Sequence, residues 1–421
     1  MEKSSNGLQQ PARCINLDWL EVYAEEDIIQ PVTVENLRTR GYWLEVREYG
    51  TRIYNEMYKV LDDHGYSILE VRRDPKNKSV NAILPINACH IRLSNRTCYS
   101  SNAVDILRSF CQANNITIVS VYRVDIALDF EKFDSGDDPQ KFLLRYCSGR
   151  YSKVNQANIH AHGADKWHRR EWNSLSWGSP HSPIGTKFYC KTQELREVKD
   201  KPYIRYAWFN NGIIDDPGIT AEGIRRRNDD GTHYKPEIWR VEFSIRSSVK
   251  NWVCINLNGN SKEKYSLRNT LDQYDTQAKL LAMFNSLQQH YFHFKLFFKD
   301  RSKYDCPDKI LFRFTTREKY YQVEHPSSDS QPVSDEIRLL KYLKKYRLTQ
   351  ADIKVRDAID LLIDTIQGKD AARLLENPYN KAMLFAMQQT IKARLEGSPV
   401  DPAELITSFM QRYKEATPKP W

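Results

Sequence analysis

Three stretches of this 421-residue chain put cations, carboxylates and a tyrosine at every second position. Successive side chains of an extended strand point to opposite faces. In VYRVDIALDF one face carries Arg123, Asp125, Ala127 and Asp129, and the other Val124, Ile126, Leu128 and Phe130. In TKFYCK one face has Lys187, Tyr189 and Lys191, and the other Phe188 and Cys190. In IWRVEFSIR one face has Arg240, Glu242, Ser244 and Arg246, and the other Trp239, Val241, Phe243 and Ile245. Together they describe a sheet with a smooth apolar face and a face fit for phosphodiester chemistry. Carboxylates suit a hard divalent cation such as Mg²⁺ or Mn²⁺, arginine and lysine neutralise phosphate, and tyrosine is a nucleophile. A solvated sheet face with cross-strand ion pairs is the competing interpretation.

Geometry narrows the metal ligands. Asp125 and Asp129 are four residues apart on one strand, about 13 Å at ~3.3 Å per residue, too far to share an ion. Asp125 is therefore paired with Glu242 from a neighbouring strand, and Asp129 is left to cap, to hold a basic residue or to stand behind the ligands. Further phosphate contacts are open to Arg92 and Arg96 in CHIRLSNR and to Arg225, Arg226 and Arg227 in GIRRRNDDG. A solvated charge run is the alternative for both. The basic stretch REVKDKPYIR is expected to border the groove that takes the phosphate backbone.

The elements that must position these residues read as α+β: an antiparallel β-sheet with helices on one face, followed by a C-terminal helical region. A flexible N-terminus (1–14) precedes a domain over 15–325. That domain opens on CINLDWLEVYA, runs through a meander of short strands, and continues with a helix at SNAVDILRSFCQANN, a long strand at ITIVSVYRVDIALDF and a helix opened by Pro139. His160 and His162, beside Gly163, read as a loop pair rather than metal ligands. The Ser- and Pro-rich stretch 326–334 reads as a linker. The helices over 335–421 are compatible with a helix-turn-helix, a dimerisation unit or a docking segment for a host helicase.

Composition sets the class. The formal net charge is +9, with 63 Lys and Arg against 54 Asp and Glu, which favours a polyanionic partner. Aromatics make up 12% of the chain and interleave with cations, as single-stranded nucleic acid prefers, though a β-rich core looks the same. No run approaches the 18 or more uncharged residues of a membrane span, and residues 1–12 lack an apolar export signal. Eight scattered cysteines without metal-site spacing then read as reduced thiols in a cytoplasm.

Taken in order, the three motifs resemble the replication initiation factor family, the Rep_trans-type initiators of rolling-circle plasmids and phages with related relaxases of conjugative elements. The resemblance lies in YRVDIALDF against that family's Arg-x-Asp-x-x-x-Asp strand. It continues in SLSWGSPHSPIGTKFYCKTQEL against a Gly-Ser turn and a Tyr-x-Lys-x-x-Glu strand, and ends in WRVEFSIR against a Trp-x-Arg-x-Glu strand. It covers about residues 118 to 250. Such a resemblance implies an endonuclease that nicks one strand of a single-stranded or hairpin DNA origin with metal help, stays joined to the 5′-phosphate through tyrosine and exposes a 3′-OH. Carried over, it matches Arg123, Asp125 and Asp129, then Tyr189, Lys191 and Glu194, then Arg240 and Glu242. Tyr189 is the chosen nucleophile, because Lys187 and Lys191 on its face would favour phenolate. Tyr203, Tyr206 and Tyr234 remain alternatives, since an insertion-like stretch separates the second and third motifs. A relaxase for transfer or excision of a mobile element, a DNA-binding protein that no longer cuts, and a structural or regulatory phage protein are the rival functions.

Overall fold

The computed structural model describes residues 12–76, 84–155, 159–166, 169–179, 182–257, 263–298 and 305–322, together with 407, 408 and 411; over 162–171 the description is of backbone alone. The fold belongs to one unit, residues 1–76 and 84–323. The second unit, residues 77–83 and 324–421, is described only at residues 407, 408 and 411, which are helical. The anticipated linker at 326–334 and nearly all of the C-terminal helical region lie outside the described residues, as do residues 1–11.

The chain is α+β, built on one ten-stranded sheet in which every neighbouring pair is antiparallel. The strands up to the first long crossover are β1 (Arg13–Glu25), β2 (Trp43–Val46), β3 (Tyr54–Leu61), β4 (Ser67–Pro75), β5 (Ala88–Leu93) and β6 (Thr117–Phe130). The short β7 (Tyr151–Lys153) joins a small separate sheet, and β8 (Ile159–Lys166), β9 (Arg169–Trp177) and β10 (Ile184–Cys190) return to the main one. After a two-residue hairpin of β11 (Arg226–Arg227) and β12 (His233–Tyr234), β13 (Trp239–Arg246) inserts between β6 and β10. The spatial order is β2-β3-β4-β5-β1-β6-β13-β10-β9-β8. The three motif strands therefore lie side by side at its centre.

The described residues form seven α-helices: α1 (Val34–Thr39), α2 (Asn95–Cys98), α3 (Ala103–Ala113), α4 (Pro139–Cys147), α5 (Lys191–Glu197), α6 (Pro202–Asn210) and α7 (Gln277–Tyr291). The local signals are physical. Helix α4 starts where the Asp138 side chain accepts from the Lys141 N–H at 2.7 Å, with Pro139 in the first turn. Helix α3 turns Val104, Leu107, Phe110 and Cys111 onto one buried stripe.

Alternation along the motif strands sorts the two faces as their sequences require. Val124, Ile126, Leu128, Phe130, Phe188, Val241 and Phe243 enter one apolar core with residues of α3, α4 and α7. Phe188 stacks on Trp239 at 5.0 Å between ring centroids, one of many aromatic pairs there, each worth ~0.5–1.5 kcal/mol beyond its burial. The other face is not left to water. A smaller core of Cys14, Leu195, Ile204, Trp208, Ile213 and Ile238 roofs one end of it with α5 and α6.

Two local expectations are corrected. The strand expected to carry Lys191 ends at Cys190, and Lys191 opens α5. Its side chain is thereby buried at 1% exposure instead of standing on the sheet face. The stretch holding His160, expected as a loop, is the edge strand β8. Gly163 follows a register shift against β9, which is what a glycine in a strand permits.

Candidate active site

A β-bulge makes the site. The β1–β6 register skips a residue between Leu17 and Trp19, so Asp18 and Trp19 both leave the core while Leu17 and Leu20 stay in it. Both line an open cleft of about 580 Å³ over the centre of the sheet, with Arg123, Asp125, Lys187, Tyr189, Lys191 and Glu242. Trp19 braces the entrance, with the Arg92 and Arg123 guanidinium carbons 4.3 and 4.5 Å from its ring centroid.

Strand register then pairs the charges. Lys187 faces Glu242 directly across β10 and β13, and its Nζ donates to Oε1 at 2.8 Å. Arg123 donates to both oxygens of Asp125, two residues along its own strand, at 2.9 and 2.5 Å. The Tyr189 hydroxyl donates to Glu242 Oε2 at 3.1 Å, and Lys191 Nζ stands 3.4 Å from that hydroxyl and 2.5 Å from Glu194. Burial, then Glu242, raises the Tyr189 pKa well above the usual phenol range. Burial and then Arg240 push the Lys191 ammonium below its ordinary range. The expectation that neighbouring lysines would leave Tyr189 ready as phenolate thus fails. Lys187 is spent on Glu242, and Tyr189 rests as a phenol with a carboxylate positioned to take its proton.

Asp129 and Arg240 do not join this group. They face each other across β6 and β13 behind the cleft, at 1% and 0% exposure. Arg240 Nε and Nη2 donate to the two Asp129 oxygens at 2.6 and 2.7 Å, and Trp208 Nε1 donates to Asp129 Oδ2 at 2.7 Å. Arg240 also donates to the Tyr99 hydroxyl at 2.6 Å and pairs with Asp18 at 2.9 Å, while Tyr99 donates to Asp18 at 2.8 Å. Against the cost of burial, Arg240 and then Lys191 hold Asp18 below the ordinary carboxylate range. Asp129 therefore serves a basic residue, and Arg240, which faces Tyr189 across β10 and β13, pairs on the cleft side with Asp18.

The remaining cations divide by location. Arg246 donates to the Ser182 carbonyl at 2.7 Å, beside Gly185, where a side chain would crowd its guanidinium. Arg225 donates to the carbonyls of Glu222 and Ile224 at 3.0 Å. Arg226 pairs with Glu131, which also accepts from Tyr234 at 2.6 Å, so Tyr234 is a loop anchor away from the cleft lining. Arg227 is exposed. Arg96, Tyr203 and Tyr206 line a neighbouring groove. Sequence reasoning missed Asp18, Trp19, Asn95, Tyr99 and Trp208. The first two sit in the opening LDWLEVYA strand, but only the bulge turns both to the charged face.

Burial, opposed by Arg123 and reinforced by Glu242, pushes the Asp125 carboxyl up to about 6. A carboxyl raised above its unfolded value holds its proton longer in the folded chain, so this group costs stability as pH rises through its folded pKa. Asp125→Asn is expected to raise the melting temperature above about pH 7 in chelator, with the gain fading near about pH 4. Thermal melts at both pH values check this; an equal gain at both would remove the charge as its cause.

The cleft lining also bears on a metal. Asp18, Asp125, Glu194, Glu197 and Glu242 face Arg123, Lys187, Lys191 and Lys201, so carboxylates outnumber cations five to four. An anionic phosphodiester entering here needs added positive charge. Asp125 and Glu242 are diagonal across β6 and β13, since Asp125 faces Ser244 and Glu242 faces Ala127. They are the carboxylates that could hold a magnesium-like ion, which takes one or two carboxylates and completes its shell with water and phosphate. Among the described residues, no three His, Cys, Asp or Glu side chains gather as a ready-made cage.

No family model matches this sequence, and no curated protein matches it. Among solved structures the chain is similar to the rolling circle replication initiator protein from Geobacillus stearothermophilus. The identity is 12%, the match covers 70% of this chain and 92% of that chain, and the TM-score is 0.38. Among the described residues no helix is long and apolar enough to cross a membrane. All eight cysteines are free thiols, and Cys147 alone is exposed.

Proposed function

We propose that this chain binds single-stranded DNA in the cleft and nicks it through Tyr189, as a replication initiation protein of a plasmid, phage or other mobile element that starts rolling-circle replication. One observation carries the reading: the Tyr189 hydroxyl donates to Glu242 at 3.1 Å on the wall of an open cleft, with Lys191 Nζ 3.4 Å from the same oxygen. Nucleophile, base and electrostatic partner are within reach of one another. Tyr189 Oη attacks phosphorus while its proton passes to Glu242. The bond from phosphorus to the 3′ oxygen breaks, and that oxygen leaves as a hydroxyl with a proton from solvent. Lys191 stabilises the phenolate as it forms. Arg123 and Lys187, with side chains 30% and 50% exposed, turn from their carboxylates to the non-bridging oxygens. Asp125 and Glu242 would hold Mg²⁺ or Mn²⁺, which when bound supplies the positive charge the lining lacks. Under this reading the C-terminal unit serves origin recognition, dimer formation or host helicase docking.

A DNA-binding protein that no longer cuts is the second reading, favoured by the raised Tyr189 pKa. Incubation with single-stranded oligonucleotides from the flanks of its own gene, with and without Mn²⁺, separates the two on a denaturing gel. A covalent adduct that needs metal supports nicking. Tight, salt-sensitive binding without an adduct supports the second reading, and no binding overturns both.

A further inference from the structure

Beside the cleft runs a second, larger groove of about 940 Å³ that shares Asn95 and Lys201 with it. Its walls differ in kind from those of the cleft. Four tyrosines line it: Tyr66, Tyr99, Tyr203 and Tyr206. Tyr66 and Tyr206 are 55% and 54% exposed, so part of each ring is open to the groove. The Arg96 guanidinium lies over the Tyr66 ring at 3.9 Å and reaches Asp62 at 3.5 Å, and Tyr203 packs against Tyr99 at 5.2 Å between ring centroids. Charge differs as well. Arg96, Lys199 and the shared Lys201, which also reaches Glu194 of the cleft at 3.4 Å, line it with one carboxylate, Asp200, whose two oxygens each accept from Arg205 at 3.0 Å. The cleft has an excess of carboxylate; this groove has an excess of cation.

We propose that this groove is a base-stacking subsite for the segment of single-stranded DNA adjoining the scissile phosphate, an inference that rests on the reading of the cleft as a DNA site. Tyr206 takes one base on its ring, the stacked Tyr66 and Arg96 pair takes the next, and Lys199 and Lys201 follow the backbone. The mode is tolerant of sequence, since every base has a π-face. Helix α6 makes the wall: Tyr203 and Tyr206 are three residues apart on its groove side, while Ile204 and Trp208 anchor its other side in the smaller core. Tyr99 links groove and cleft, because its hydroxyl bonds Asp18.

The test measures binding of the full chain to fluorescent thymidine oligonucleotides of roughly four and roughly twelve nucleotides, lengths chosen to fill the cleft alone or both sites. Tyr206→Ala is expected to weaken the longer ligand on the order of 10-fold and leave the shorter unchanged. Tyr206→Phe, which keeps the ring, should restore the longer one. A wild-type affinity of Tyr206→Ala for the longer ligand, or an equal loss for both lengths, overturns the subsite while leaving the cleft reading intact. Failure of the unaltered chain to bind either ligand overturns the cleft reading instead.

Discussion

Asp129→Ala is expected to destabilise the folded chain by about 3–5 kcal/mol, the usual result of removing one partner from a buried ion pair. Arg240 would remain at 0% exposure with its bidentate acceptor gone, and Trp208 would lose the acceptor of its indole N–H. Asp18 cannot replace it, since it already pairs with Arg240 at a different nitrogen and accepts from Tyr99. Urea unfolding followed by tryptophan fluorescence reads the change, because Trp208 donates to Asp129 within this network. The double variant Asp129→Leu with Arg240→Met should recover much of the loss, since apolar side chains of similar volume avoid the desolvation cost. A loss below about 1 kcal/mol for Asp129→Ala would mean that Arg240 is held by its other partners alone.

The second large effect is kinetic. Glu242→Gln is expected to slow covalent joining to an oligonucleotide by roughly 10²–10⁴-fold, the contribution of a positioned general base. Glutamine keeps the shape and can still accept from Tyr189, but it cannot take the proton. Because burial and Glu242 hold the Tyr189 proton tightly, no appreciable phenolate exists to bypass the base. Because Glu242 would also hold the ion, affinity for DNA is compared in chelator, where Arg123 and Lys187 remain and little change is expected. Single-turnover quenching, with anisotropy for binding, separates the two quantities. An unchanged joining rate would remove Glu242 as the base.

Much of this was legible in the sequence because strands have a period of two. Asp125, Glu242, Lys187 and Tyr189 could be placed on one face from alternation alone, and the α+β class followed from the punctuation of the strands. What alternation cannot supply is register. That Lys187 meets Glu242, and Asp129 meets Arg240, depends on β13 sitting between β6 and β10. Nor could it reveal the bulge at Asp18 and Trp19, because a bulge breaks the very period being read. Lys191 was misplaced because a strand period was carried one residue past Cys190, into a helix. Helix α7 escaped because it is buried on more than one side: Leu280, Ala282, Met283, Phe284 and Leu287 blur the single stripe that marks a surface helix. The triple arginine at 225–227 read as a phosphate contact or a solvated charge run, whereas Arg225 bonds carbonyls of its own loop and Arg226 ties that loop to Glu131 after β6.

The central claim is that Tyr189 is the nucleophile, and peptide mapping of a trapped adduct tests it most directly. The full chain is incubated with Mn²⁺ and single-stranded DNA from its own gene's flanks, then digested with nuclease and protease and sequenced by mass spectrometry. The account predicts a nucleotide on Tyr189 through a 5′-phosphate, and no adduct from Tyr189→Phe although that variant still binds the DNA. A nucleotide on Tyr203, Tyr206 or Tyr234, or an adduct that survives in Tyr189→Phe, would contradict it.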